Sequence, residues 1–423
     1  MRKTLKQINI KFYPPSLSII TQQGNDLSES VIDLQSISSD TDVEELADEI
    51  MASEPILKPK HRKALVSSIE KVIKMQGIDF NTFELARVHK AHEMPLTDCA
   101  FNKMGELFIT ASNDRTCIIW ETETGKKLHV LTGHTNSIYC CTFNNPIGNL
   151  IATGSNDKTS RIWDVESGTS LHELTGHTGE VVKVVFDHNS QHLATASLDR
   201  TSRIWDVESG QCLLTLRGHV AEVTHVEFTN DDHILMTSSF DSTAKLWDVR
   251  SGSELFSLIG HSSEVSTAHF DWPCEHALTA STDGTARIWD IRSGRTTRVL
   301  EGHRDAVLDA CWSPDGRRIA TCSADHTAKV WTQSGDELFT FEGHSDEVTR
   351  VMFSPQCSKL LTASDDATCR LWDLATGLEL EQLKGHTNQI MSCAFNYSGE
   401  WIITASHDNT VIQWKAARTD YRC

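Results

Sequence analysis

No apolar run in this 423-residue chain is long enough to span a membrane, and MRKTLKQINIKFYPP at the N-terminus lacks the apolar stretch of a signal peptide. A cytosolic protein without membrane insertion is the expectation. Basic residues are in short supply: 39 Lys and Arg stand against 58 Asp and Glu, a formal charge of −19. That balance argues against nucleic acid, which would want a basic face for its phosphates. The 12 cysteines are scattered and include no C-x-x-C pair, and no His or Cys cluster has zinc spacing. Reduced, mostly buried thiols are expected, with no metal and no cofactor. Phosphate loops, nucleophile elbows and nuclear-import runs are also missing, so an enzyme is the weakest reading.

What is present is a repeat, seen most plainly in GHVAEVTHVEFTNDDHILMTSSFDSTAKLWD from Gly218 to Asp248. It recurs eight times at a period of 41 to 43 residues. The repeated histidines are His92, His134, His177, His219, His261, His303, His344 and His386, and the aspartates that follow are Asp114, Asp157, Asp199, Asp241, Asp283, Asp325, Asp366 and Asp408. Six residues after each Asp stands Trp120, Trp163, Trp205, Trp247, Trp289, Trp331, Trp372 or Trp414. Gly-His and Trp-Asp ends at this period resemble the WD-repeat signature. Between them run short β-branched and aromatic stretches broken by turn residues, which predict small antiparallel strands. One such sheet cannot bury both faces, whereas repeats stacked radially cover one another. The fold expected is mainly β, an eight-bladed β-propeller.

Each repeat also carries Thr four residues before the Asp and Ser two residues before it (Thr237 and Ser239 in the fourth). Positions two apart in a strand share a face. One of these hydroxyls is therefore expected to link the Trp indole to the His, and the His to the Asp. For His219, Thr237, Asp241, Trp247 and their equivalents a structural network is far more economical than eight active sites.

Residues 1–80 differ in texture. Ile8, Ile10 and Phe12 alternate into Pro14-Pro15, and Val31 to Leu34 is a second candidate strand. Thr41 and Glu44 form a capping-box pattern, followed by an apolar face of Val43, Leu46, Ala47, Ile50 and Met51. Leu65, Ile69, Val72 and Ile73 make the stripe of a second helix. A small β-β-α-α, α+β domain is expected here, followed by the propeller over 81–423. After Trp414 the chain lacks the Gly hairpin found behind the other repeats, so the last blade is one strand short and residues 82–90 are expected to complete it. Blade 2 has one extra residue near Phe143 to Gly148. Two residues before Trp, Ile118 and Ile412 replace the Arg or Lys of the other repeats, an apolar departure expected to mark where the N-terminal domain docks.

Resemblance to WD-repeat peptide binders implies three ligand-facing positions per blade: three and five residues after the His, and one before the Asp. The first gives Glu180, Glu222, Glu264 and Glu347, and the third Leu198 and Phe240. The second gives Tyr139, Val182, Leu308 and Met391, with Thr97, Thr224, Ser266 and Thr349 in the other blades. Apolar anchors beside a carboxylate arc would suit a peptide that places an apolar or aromatic side chain next to Lys or Arg.

Several stretches go further: FYPP at 12–15, DTDVEELADEIMASEPIL at 40–57, KAHEMPLT at 90–97, FNNPIGNLIATGSNDKT at 143–159 and SCAFNYSGEWIITASHDNT at 392–410. They resemble the WD-repeat factors that assemble outer-row dynein arms of cilia and flagella. The resemblance implies a non-enzymatic, monomeric cargo adaptor linking preassembled outer-arm axonemal dynein to an intraflagellar transport complex subunit in the cytoplasm, the basal body region and the cilium. The alternative is a generic WD-repeat scaffold, such as a ubiquitin-ligase substrate receptor or an acidic-faced reader of peptides or histone tails.

Overall fold

The computed structural model describes residues 4–12, 15–23, 26–34, 43–53, 56–76, 80–90, 92–145 and 147–417. The chain divides into two compact units, Met1–Phe80 and Asn81–Cys423.

In the first unit three strands, β1 (Thr4–Phe12), β2 (Pro15–Gln23) and β3 (Asp26–Asp33), form an antiparallel meander. Helix α1 (Val43–Ser53) and helix α2 (Arg62–Gln76) follow. The middle strand is the difference from the two-strand expectation. Its Leu17 and Ile19 are fully buried and Ser18 between them is buried too, so this is a covered central strand that the preceding prolines obscured. The third strand also starts at Asp26, earlier than Val31. Leu17, Ile19, Leu34, Ala47, Ile50, Leu57, Leu65 and Ile69 make the core, with Val43, Leu46 and Met51 packed against it. The two helices are also linked by Arg62, which forks onto Asp48 at 2.7 and 2.9 Å and pairs with Glu44. Thr41 and the side chains of Val72 and Ile73 lie outside the described residues.

The second unit is a ring of eight four-stranded antiparallel sheets. Blades are numbered here from the repeated histidines, so blade 4 runs from Val223 to Ile259. Successive inner strands pack on each other in a closed cycle, the last (Ile390–Phe395) against the first (Leu96–Phe101). Each core cluster mixes two neighbours: Ala194, Ala196, Ile204 and Leu216 of blade 3 meet Val226, Phe228, Leu235 and Trp247 of blade 4. A blade left alone would expose both halves of such a cluster to water.

Blade 8 has only three strands of its own, and β4 (Phe83–His89) supplies the fourth, antiparallel to Val411–Ala416. Phe83 is 3 % exposed and meets Phe395 edge-on, with ring centroids 6.3 Å apart. Its N–H donates to Glu381 of blade 7 at 2.6 Å, and Arg87 donates to the Glu123 carbonyl of blade 1 at 2.8 Å. Lys415 lies 4.6 Å over the Trp401 ring and pairs with Glu123 at 2.9 Å. One strand therefore fastens three blades.

The extra residue of blade 2 sits in its first hairpin, where Gly148 N–H bonds Asn144 four residues back at 2.6 Å. In blade 1 the matching bond spans three, from Gly105 to Asn102 at 3.0 Å. Ile118 and Ile412 do not form a docking surface. They are 1 % and 0 % exposed, and Ile118 packs with Leu96, Phe108, Trp120, Ile403 and Val411 inside the ring. In blades 2 and 6 the corresponding cation both covers the Trp and reaches a Glu of the outer strand, as Arg161 does at 5.9 Å from the Trp163 ring and 2.7 Å from Glu173.

Replacing Phe83 by Ala should lower unfolding free energy by about 3 kcal/mol, while Leu85→Ala, on an exposed side chain of the same strand, should cost under about 1. Urea titration followed by tryptophan fluorescence separates the two.

Candidate functional site

Every blade contains the same buried polar chain. In blade 4 the Trp247 indole N–H donates to Thr237 Oγ1 at 2.9 Å. Thr237 Oγ1 is 2.8 Å from His219 Nε2, and His219 Nδ1 is 2.8 Å from Asp241. Across the eight blades these contacts span 2.9–3.0 Å for Trp to Thr, 2.7–2.9 Å for Thr to His, and 2.8–3.0 Å for His to Asp. With Nδ1–H donating to the carboxylate, Nε2 accepts the Thr hydroxyl, whose oxygen accepts the indole N–H. Thr is thus the linking hydroxyl. Ser239 does a different job, accepting the Asp241 N–H at 3.1 Å. The Asp also takes the N–H after the His, Val220, at 3.0 Å, and the Thr243 N–H at 3.0 Å, which pins the hairpin to the loop.

Burial by itself would push these carboxyls up. Hydrogen bonds from His and Thr outweigh it, holding Asp114, Asp283 and Asp325 down to about 2 and the other five also below the usual range. Burial pushes His261, His303 and His386 down, which keeps these rings neutral near pH 7. Nothing in this arrangement leaves an activated nucleophile; each polar atom already has its partner.

At the mouth of each blade, two of the three sequence-derived positions are paired through the backbone. Phe240 N–H bonds the Glu222 carbonyl at 3.0 Å and Leu198 N–H the Glu180 carbonyl at 2.9 Å. Phe240 is 42 % exposed, Glu264 and Glu347 are exposed, and Tyr139, Glu180, Val182, Leu198, Glu222, Leu308 and Met391 are half-buried. Tyr139, Glu180, Val182, Leu198, Glu222, Phe240 and Glu264 fall on the run of blades 2 to 5. Leu308, Glu347 and Met391 stand on blades 6, 7 and 8. Tyr139 Oη accepts from Asn156 at 2.9 Å; burial, then its bond to Glu180, raises the phenol above its ordinary value. On blade 7, burial and then Asp346 and Glu347 push Asp365 up, so this part of the rim also favours an incoming cation.

The position five residues after the His proves to have two uses. Thr97, Thr224, Ser266 and Thr349 donate to the first carbonyl of the next inner strand at 2.7, 3.0, 2.9 and 2.9 Å. These hydroxyls stitch blades together and are committed. Tyr139, Val182, Leu308 and Met391 have no such hydroxyl to give, and they mark the unstitched seams. Sequence reasoning missed Val220, which is 75 % exposed and whose N–H bonds Asp241, the residue after Phe240. The available signal was its apolar character at a position held by Glu, Thr, Ser or Arg in the other repeats. Among the described residues no group of three or more His, Cys, Asp or Glu is arranged to hold a metal ion, and no helix is long and apolar enough to cross a membrane.

A ring of eight such blades with a mixed apolar and acidic mouth defines a β-propeller of the kind that serves as a binding scaffold. The family described as WD domain, G-beta repeat matches residues 83–121, 125–164, 168–206, 210–248, 252–290, 294–332, 335–373 and 377–415, and the chain belongs to it. Within that family it is 44% identical over 145 residues to the Danio rerio protein named Dynein assembly factor with WD repeat domains 1. It is 42% identical over 143 residues to the Homo sapiens protein of the same name. Each alignment covers 34% of this chain and 34% of the relative, so the chain spans about a third of the length of the curated relatives it matches. These relatives carry the name of the family that the FNNPIG and FNYSG segments resemble. A crystal structure of the computationally designed Ika8 protein superposes with a TM-score of 0.70 at 28% identity, covering 77% of this chain and 98% of that one.

Two outcomes test the network. Thr237→Val strands a buried indole N–H and an imidazole nitrogen and should cost roughly 2 to 6 kcal/mol in urea unfolding, at about 1–3 for each unpaired group. The depressed carboxyls stabilise the fold above their unfolded value of about 4 and lose that contribution as pH falls through about 2. Stability should therefore drop steeply between about pH 4 and pH 2, with Asp241→Asn reducing the slope by about one proton.

Proposed function

We propose that this chain is a non-enzymatic adaptor for the assembly of ciliary outer dynein arms, joining preassembled outer-arm dynein to the intraflagellar transport machinery for delivery into the cilium. The identity of 44% to a dynein assembly factor carries the reading, together with segments outside the generic repeat that resemble the same family. Such a protein works between the cytoplasm, the basal body region and the ciliary shaft, and its task needs one surface for cargo and another for the transport particle.

One of those surfaces is the mouth of the propeller over blades 2 to 5. Tyr139, Val182, Leu198, Val220 and Phe240 offer apolar anchorage, and Glu180, Glu222 and Glu264 surround it with negative charge. A partner segment with an aromatic or aliphatic side chain flanked by Lys or Arg fits that combination. Rim carboxylates give salt-sensitive attraction, which suits cargo that must later be released.

The decisive experiment is capture of partners from the cytoplasm of ciliated cells by the intact chain and by the Phe240→Ala, Glu222→Ala double variant. Outer-arm dynein and intraflagellar transport subunits should be recovered by the intact chain. The variant should lose at least tenfold in affinity for one of the two, about 1.4 kcal/mol or more. Full affinity for both in the variant removes this mouth as a docking surface. Recovery of cullin-ligase subunits or histones in their place replaces the ciliary reading with the generic scaffold.

A further inference from the structure

Each inner strand lies at the edge of its sheet, so alternate backbone groups face the ring axis and must find partners in neighbouring blades. The residue six after each repeated His stands on this edge. In blades 1 and 6 it is an aspartate, and the carboxylate gathers N–H groups from two adjacent inner strands. Asp98 accepts the Cys99 N–H at 2.9 Å and the Cys141 N–H at 3.1 Å. Asp309 accepts the Ala310 N–H at 3.0 Å and the Val351 N–H at 3.3 Å. The inner edge is thus a carboxylate receptor, filled twice from within.

In blade 3 the same position is Lys183, an ammonium that donates hydrogen bonds and accepts none. By the repeat, the counterparts of Cys141 and Cys99 are Val226 and Val184. No side-chain oxygen accepts the Val226 N–H among the described residues, and the Val184 N–H meets only the Cys140 thiol. The Lys183 side chain makes no hydrogen bond or ion pair among the described residues, and the residue is half-buried. His225, next along the ring and 7 % exposed, has no partner for its Nδ1. The ring's other cation at this level is differently placed. Arg350 has Asp309 at 3.7 Å and donates to the Met391 carbonyl at 3.5 Å. Its side chain is 38 % exposed, so solvent reaches this level of the ring.

We propose that the axis over blades 3 and 4 binds an external carboxylate, seated on the Lys183 ammonium and the Val184 and Val226 N–H groups in the place that Asp98 and Asp309 fill elsewhere in the ring. Two inward N–H groups beside a cation are an anion-binding arrangement, and the protein's own carboxylates show that the inner edge accepts this group. Glu180 and Glu222 stand at the mouth of the same two blades and repel extended polyanions. The ligand is therefore a small carboxylate, either a free ion or an acidic side chain presented next to a cation. This site is separate from the mouth residues discussed above and does not depend on the ciliary reading.

The test is thermal unfolding of the full chain in sodium acetate against sodium chloride at matched ionic strength. Acetate should raise the midpoint saturably, by about 2 °C. Lys183→Asp supplies the carboxylate internally, as Asp98 does, and should remain folded while losing the acetate response; Lys183→Arg should keep it. The peptides Ac-Arg-Glu-NH2 and Ac-Arg-Gln-NH2 identify the source. Saturation by the Glu peptide below the acetate concentration, with none from the Gln peptide, assigns a side chain borne by a partner. Saturation by acetate at the lower concentration assigns a free ion. No saturable shift in the unmodified chain, or the same shift in Lys183→Asp, overturns the proposal.

Discussion

A tryptophan indole buried between two sheets must hand its N–H to something, and the rest of this propeller follows from how that debt is met. Thr takes the proton donor, His takes the Thr, and Asp takes the His, so that a residue in the third strand is coupled to the loop before the first. The chain reaches from the third strand to the mouth, and it fixes both the loop from which Val220 and Glu222 project and the hairpin that carries Phe240. Precision at the mouth is inherited from polar groups deep in the blade.

That same requirement explains what could be read without coordinates. Buried polar atoms demand particular residue types at fixed separations, so Trp, Thr, His and Asp recur visibly, and blade number and ring closure follow from counting them. Other features depend on a neighbour some forty residues away and left no such trace. The hydroxyls of Thr97 and Thr224 looked identical in kind to Val182 and Tyr139 as surface candidates until the next blade's carbonyl was in place. The axial carboxylates were hidden likewise, since the role of Asp98 depends on where Cys141 presents its N–H. Ile118 and Ile412 were misleading for a related reason: an apolar residue in a normally charged position signals burial, but not by which partner.

The small N-terminal unit follows different rules. It has no repeat to enforce its pattern, and its middle strand, rich in Ser and Gln, alternates too weakly to stand out next to two prolines. Once Leu17 and Ile19 are placed against Ala47, Ile50, Leu65 and Ile69, the amphipathic faces of both helices have a common target. The helix stripes were legible because a period of 3.6 persists over several turns, whereas a strand of nine residues offers only a few alternations.

The closing strand has a consequence for synthesis. His89 of β4 bonds Gln413, 324 residues further along the chain, so β4 leaves the ribosome long before the sheet it belongs to exists. At about 5–20 residues per second that interval is on the order of tens of seconds. During it the blades are added one by one up to seven, with the two end faces of the growing arc uncovered and a solitary strand waiting at one of them. The nascent ring therefore passes through a long-lived open arc, and a chaperone that shields sheet edges has its natural window of action there.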